Sequence, residues 1–182
     1  EPAELLATLA PRARVDGRGG VLVPGFVDAH AHYPQTAIIA GWGKRLIDWL
    51  NTYTFPEEMR FGDPAYAREI AERYLDLVRA HGTTTVASYC TIHEKSVDAI
   101  FEAAEARQMR LIAGKVLMDS NCPEGLRDDA ESGYADSKAL IERWHGRGRL
   151  GYAITPRFAL TSSEAQLAAA GRLAREHPDV WV

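Results

Sequence analysis

Two kinds of apolar segment alternate along this chain, and that alternation restricts the fold more than any other feature. Short, apolar or β-branched runs occupy 21–32 ("VLVPGFVDAHAH"), 83–92 ("TTTVASYCTI"), 110–119 ("RLIAGKVLMD") and 150–158 ("LGYAITPRF"), and "DVWV" at 179–182 begins a fifth. Between them lie segments with apolar residues at helical spacing: 63–82, 96–108, 134–146 and 161–177. In the first of these, Ile70, Tyr74, Leu77 and Val78 recur on one face, Asp63 is placed to cap it, Pro64 suits its first turn, and Gly82 can end it. Val97, Ile100, Phe101 and Ala104 form the stripe of the second, and Leu140, Ile141 and Trp144 that of the third. The fourth opens on a capping box running from Thr161 to Glu164. Strands alternating with helices make βα units and a parallel sheet. An open doubly wound sheet and a (β/α)8 barrel both satisfy that pattern. No glycine-rich phosphate loop follows the first strand, which weakens the dinucleotide-binding version. A barrel needs about 250 residues and eight strands, so these 182 residues would hold roughly its first half. Residues 1–20, with "RVDGRGG", have the composition of turns and a linker.

Charge and cysteine content remove several function classes. The formal net charge of −4 gives no electrostatic footprint for nucleic acid or for an acidic membrane surface. No apolar run reaches the roughly 18 residues of a membrane span. Cys90 and Cys122 are far apart and form no CxxC pair, which argues against a disulfide framework and a zinc ribbon. A cytoplasmic protein with two free thiols is the expectation.

The chemistry concentrates in "PGFVDAHAHYPQ", residues 24–35. Alternate side chains of a strand share a face, so regular alternation sends Phe26, Asp28, His30 and His32 one way and the apolar Val27, Ala29 and Ala31 toward helices. His30 and His32 then sit side by side at the C-terminal end of the strand, before Pro34 stops the ladder. Imidazoles at that spacing can converge on one metal ion, and strand C-termini are where barrels place their chemistry. Asp28 is either a carboxylate orienting a ligand histidine or a strand-end acid with a local hydrogen bond. A catalytic zinc takes three protein ligands and a water, so this pair is not a complete site. Of the other histidines, His81, His145 and His177 lie at helix ends and read as surface or capping residues, and His93 is a pocket candidate. Lys115 reads as a lysine with a buried stem.

"PGFVDAHAH" resembles the first-strand signature of the amidohydrolase superfamily, metal-dependent hydrolases on a (β/α)8 barrel of the TIM type. "HYPQTAIIAGWGKRLIDWLNTYTFPEE", "GTTTVASYCTIH", "IAGKVLMDSNCPEGL", "YADSKALIERWHGRGRLGYAITPRFALTSS" and "EHPDVWV" together resemble the guanine deaminases of that superfamily. The resemblance runs from about residue 20 to the end. It implies an α/β fold holding the first four to five βα units over 21–182, with 1–20 at the edge of a small N-terminal β domain. It implies one Zn2+ per subunit with His30 and His32 as its first two ligands, and purine contacts from Gln35, Arg157 and Phe158. The donors of Arg157 suit a carbonyl edge, the amide of Gln35 can donate and accept, and Phe158 offers a flat apolar surface. The implied reaction is hydrolysis of guanine to xanthine and ammonia, in purine catabolism, by a zinc-activated water. A glutamate moves protons to the leaving ammonia. Relatives in the superfamily also include purine and pterin deaminases and chlorohydrolases, and a non-catalytic purine-binding fragment is a further alternative. A homodimer is implied for the full-length protein.

The remaining zinc ligands, the proton-shuttling glutamate and a late aspartate are expected beyond Val182. A half barrel leaves a strand edge unpaired and inner apolar layers facing water. We therefore expect these 182 residues to be part of a longer protein. Expressed alone, they should aggregate, pair or lack activity; size-exclusion chromatography showing a monodisperse, active monomer would refute this.

Overall fold

The computed structural model describes residues 17, 19–43 and 45–182. Apart from Gly17, Gly19 and Gly20, the expected linker and domain edge over 1–20 lie outside these described residues. The first strand, β1 (Phe26–His32), runs into a 3-10 turn over Tyr33–Ile38. Short helical pieces follow: α1 (Leu46–Trp49), a π turn at Leu50–Thr54, α2 (Phe55–Met59) and a 3-10 turn at Arg60–Gly62. Then come α3 (Pro64–Ala80), β2 (Thr83–Tyr89), α4 (Glu94–Ala106), β3 (Arg110–Gly114) and β4 (Val116–Leu117). The chain continues through α5 (Ala130–Trp144), β5 (Leu150–Tyr152), β6 (Thr155–Pro156) and α6 (Glu164–Glu176).

β1, β2, β3 and β5 form a four-stranded parallel sheet in that order. Each new strand adds beside the one before it. A doubly wound sheet instead reverses direction at a switch point, so the sequential order is that of a barrel wall. β4 and β6 continue the same wall as a parallel pair, Val116 opposite Thr155 and Leu117 opposite Pro156. "DVWV" contributes a parallel bridge, Trp181 to Ala153, rather than a full strand.

The expected boundaries shift for identifiable reasons. β1 begins at Phe26, not at Val21, and Val21 and Leu22 are 89 % and 100 % exposed. Pro24 has no N–H to give a ladder, and the first tie to the neighbouring segment is Phe26 N–H to Gly82 O at 2.9 Å. The third and fourth expected strands are each broken in two, at Lys115 and at Ala153–Ile154. The cause is a close backbone approach: a Cβ on Gly114 would lie 1.7 Å from the carbonyl oxygen of Ala153. Only glycine lets the two chains pass there.

α3 is capped as expected, Asp63 accepting from Ala65 N–H at 2.9 Å, and Gly82 takes φ +84° just beyond its end. On this helix Leu75, not Leu77, completes the buried stripe with Ile70 and Tyr74; Leu77 is 39 % exposed. α5 starts at Ala130, a turn before the expected tyrosine, because Asp129 and Ser132 form a reciprocal capping box. At α6 the cap is Ser163, which accepts from Gln166 N–H at 3.1 Å, while Thr161 lies in a preceding 3-10 turn. The helical pieces between 46 and 62 follow no clean amphipathic period and were not anticipated.

The stripes of α3, α4 and α5 pack on one side of the sheet. Ile70, Leu75, Val86, Ile100, Phe101 and Leu111 lie together in this core, and Phe101 stacks on Trp144 at 5.4 Å. A smaller cluster of Leu50, Phe55, Val116, Met118 and Leu126 sits beneath the 46–62 segment. Among the described residues no helix is long and apolar enough to cross a membrane. Gly114→Ala should destabilise the protein by about 3 kcal/mol or more, the upper end of overpacking costs, because the obstacle is backbone. Urea unfolding of the full-length variant measures it, and a midpoint within error of the wild type would contradict the close approach.

Candidate metal and purine site

The ladder between β1 and β2 slips between Asp28 and Ala31. Three residue steps of β1 there face two of β2, and an extra residue of this kind turns side chains against regular alternation. Ala29 and His30 consequently line the same cavity, together with Ala87, Tyr89, Ile112 and Pro156. Asp28 stands opposite buried Val86, and its charge helps burial raise the Tyr74 phenol on α3. The carboxylate also accepts from the backbone N–H of His30 at 3.1 Å. Of the two roles open to Asp28, the local hydrogen bond is the one present here, and its register opposite Val86 departs from the expected shared face with His30 and His32.

His30 and His32 do come together. Their Nε2 atoms are 3.3 Å apart and their ring centroids 5.1 Å apart. Two nitrogens bound at about 2.0–2.1 Å to one tetrahedral ion are separated by about 3.3 Å, so the pair has the spacing of a metal chelate. His32 opposes Tyr89 in the ladder and stacks on its ring at 4.6 Å and 10°. Burial, followed by the charges of Arg157 and His30, lowers the His32 pKa to about 4. At neutral pH it is therefore the uncharged imidazole, whose free lone pair a metal requires. Among the described residues no third His, Cys, Asp or Glu joins the pair as a metal-holding group.

Gln35, two residues after Tyr33, lies in the 3-10 turn directly past β1. That turn is held by Tyr33, whose N–H donates to Ser88 Oγ at 3.1 Å and whose hydroxyl donates to Ser96 O at 2.5 Å. Gln35 lines a second cavity with His30, His32 and Trp49. Arg157 follows β6 directly, its N–H donating to Leu117 O at 3.2 Å. Its guanidinium lies 5.5 Å from the Phe55 ring centroid, and its side chain is only 7 % exposed. Phe158 comes next and is 42 % exposed.

The residue that joins these groups is Glu58 on α2, which sequence reasoning did not single out. Its carboxylate accepts from Arg157 Nη1 at 2.5 Å, from Arg157 Nη2 at 3.2 Å and from Gln35 Nε2 at 3.4 Å. Its side chain is 2 % exposed. Glu57 beside it does something different, accepting from Arg60 Nη1 at 3.0 Å and from the Tyr66 hydroxyl. Nothing local in "TFPEEMRF" separates the two acids, since Glu58 meets a partner 99 residues away. Only its presence in a stretch quoted for its family resemblance gave any signal.

The other candidates fall elsewhere. His93 occupies the N-cap position of α4 without a side-chain capping hydrogen bond, its ring close against Gly62, with burial and the Lys115 charge lowering its pKa. It lines neither cavity that His30 borders. Lys115 is buried and paired with Asp128, with Asp136 at 3.8 Å. His81 and His177 sit at helix C-termini, as expected. His145 does more than cap: its Nδ1 accepts from Tyr152 N–H at 3.0 Å and its Nε2 lies 3.3 Å from Asp179. Cys90 and Cys122 are free.

Comparison with known proteins identifies what the chain as a whole is similar to. A guanine deaminase of Escherichia coli (strain K12) is 55 % identical over 167 residues, which cover 92 % of this chain and 38 % of that protein. The chain thus spans well under half the length of the curated relatives it matches. The solved structure of E. coli guanine deaminase superposes with a TM-score of 0.86 at 56 % identity, covering 88 % of this chain and 37 % of that one. Guanine deaminase from C. acetobutylicum, solved with guanine bound in its active site, superposes with a TM-score of 0.79 at 33 % identity, covering 86 % and 38 %. The amidohydrolase family model matches residues 21–182. With that match running across the whole strand–helix series and both histidines, this chain belongs to the amidohydrolase family.

Proposed function

We propose that the protein containing this chain hydrolyses guanine to xanthine and ammonia, and that His30 and His32 are two of the ligands of one zinc ion. The observation carrying this reading is the pair of Nε2 atoms 3.3 Å apart, on a strand end next to Gln35 and in the field of Arg157. Similarity to guanine deaminases over most of the chain supports the choice of substrate. A zinc ion held there supplies Lewis acidity, lowering the pKa of water toward 7.

The chain's own residues do the rest of what can be assigned to it. His32, uncharged at neutral pH, binds metal without first losing a proton. Its stacking on Tyr89 holds the ring plane. Arg157 presents only donors and is matched to a carbonyl oxygen of the purine. Gln35, fixed by the turn after β1, meets the same ring edge. Phe158, exposed at the end of the wall, covers a face of the heterocycle. Asp28 secures the strand through the His30 backbone rather than acting on the substrate. The barrel's remaining strands and the proton-moving carboxylate belong to this reading as parts of the longer protein, as does a homodimer, which sedimentation of the full-length protein tests.

The full-length protein, assayed by guanine loss and xanthine formation, should turn over guanine with one zinc per subunit by elemental analysis. No turnover by the zinc-replete protein would overturn the reading. His32→Ala should lower zinc content to well below one per subunit and abolish turnover; full zinc occupancy in that variant would remove His32 from the ligand set. Arg157→Ala should keep its zinc and raise KM for guanine by about 10- to 100-fold, the scale of a lost charge-assisted hydrogen bond. Loss of zinc with guanine affinity intact would reverse the assignment.

A further inference from the structure

Glu58 is a buried carboxylate that is not among the proposed metal ligands, yet it touches both polar groups that the proposed site offers to a purine. A carboxylate only accepts hydrogen bonds. It therefore dictates what its neighbours present elsewhere. The Gln35 amide must turn its NH2 toward Glu58 to donate, which leaves its carbonyl oxygen as the acceptor for a ligand. The guanidinium of Arg157 spends Nη1 and Nη2 donors on Glu58 and keeps its remaining N–H groups in a fixed plane. Without Glu58 the amide could rotate by half a turn, and a buried cation would stand uncompensated beside the histidine pair.

We infer that Glu58 is a specificity-determining positioning residue: it sets an acceptor at Gln35 next to donors at Arg157, the complement of a heterocycle edge carrying N–H beside C=O. This deepens the reading above and rests on it. The edge it selects is a lactam, which guanine has and 2,6-diaminopurine lacks, an amino group replacing the carbonyl. Pairing Arg157 with an acid also leaves the combined charge of the two side chains at zero, which suits an uncharged base and spares a nearby dication from repulsion.

The test uses the zinc-loaded full-length protein. Glu58→Gln preserves shape and removes the charge. It should lower kcat/KM for guanine about 10- to 100-fold, chiefly through KM, with zinc content unchanged. Its discrimination between guanine and 2,6-diaminopurine, read as the ratio of KM to inhibition constant, should fall about tenfold. Because Glu58 acts through Arg157 as well as through Gln35, the loss in the Glu58→Gln/Arg157→Ala double variant should fall clearly short of the product of the two single losses. A purely architectural role would make the two losses multiply, and that result overturns the inference, as does a Glu58→Gln variant within twofold of the wild type. Should Glu58→Gln not fold, Glu58→Asp keeps the charge with a shorter reach and should still lose at least about threefold in kcat/KM; wild-type kinetics there would also refute it. Wild-type guanine turnover is measured alongside: its absence sinks the deaminase reading and this inference together, whereas normal wild-type turnover with an indifferent Glu58 variant sinks only the role of Glu58.

Discussion

The backbone ladder between β1 and β2 carries the site. Parallel pairing fixes where each side chain of β1 stands relative to β2, and a slip of one residue exchanges faces. The slip between Asp28 and Ala31 does this within the strand. Asp28 is turned to the helical side, Ala29 and His30 both reach the cavity, and His32 arrives opposite Tyr89. The stacking of His32 on Tyr89 and the convergence of the two Nε2 atoms depend on that register. Tyr33 then locks the exit from the strand through Ser88 and Ser96, which belong to the neighbouring βα unit. The position of Gln35 is inherited from that lock.

A second constraint comes from the far end of the wall. Arg157 follows the β6 pairing that can exist only because Gly114 lets the chain at Ala153 pass. It reaches a carboxylate on α2, a short helix inserted between β1 and the first long helix. Burying such a pair costs desolvation that Coulomb attraction barely repays. Its retention in a site, with a third partner in Gln35, is explained better by the geometry it imposes than by stability. The Lys115–Asp128 pair makes a useful contrast. It too is buried, but its partners are architectural: Asp128 also accepts from Met118 N–H at 3.2 Å and from Gln166 Nε2 at 2.7 Å. One pair ties the loop after β4 to its helices, and the other faces the histidines.

Periodicity carried the large features. Alternating strand and helix patterns foretold the parallel sheet, the stripes Val97–Ala104 and Leu140–Trp144 foretold the packed faces of α4 and α5, and Asp63 and Gly82 marked the ends of α3. These signals are local, so they can be read from one sequence. Boundaries were missed where local rules compete: Thr161 against Ser163 as a cap, Leu77 against Leu75 on a helix face, Val21 against Phe26 at a strand start. In each case the outcome turned on which group found a partner in the folded chain.

By itself, then, the order of residues determined the βα rhythm, the placing of His30 and His32 on one side of a strand end, and the family resemblance carried by the motifs around them. Those properties depend on spacings of a few residues. Tertiary structure alone decided that Asp28 leaves the histidines' face, that two strands break where Gly114 meets Ala153, and that Glu58 joins Gln35 to Arg157. Each of these is a meeting of atoms from distant parts of the chain, where packing and burial choose among contacts that local propensity leaves equivalent.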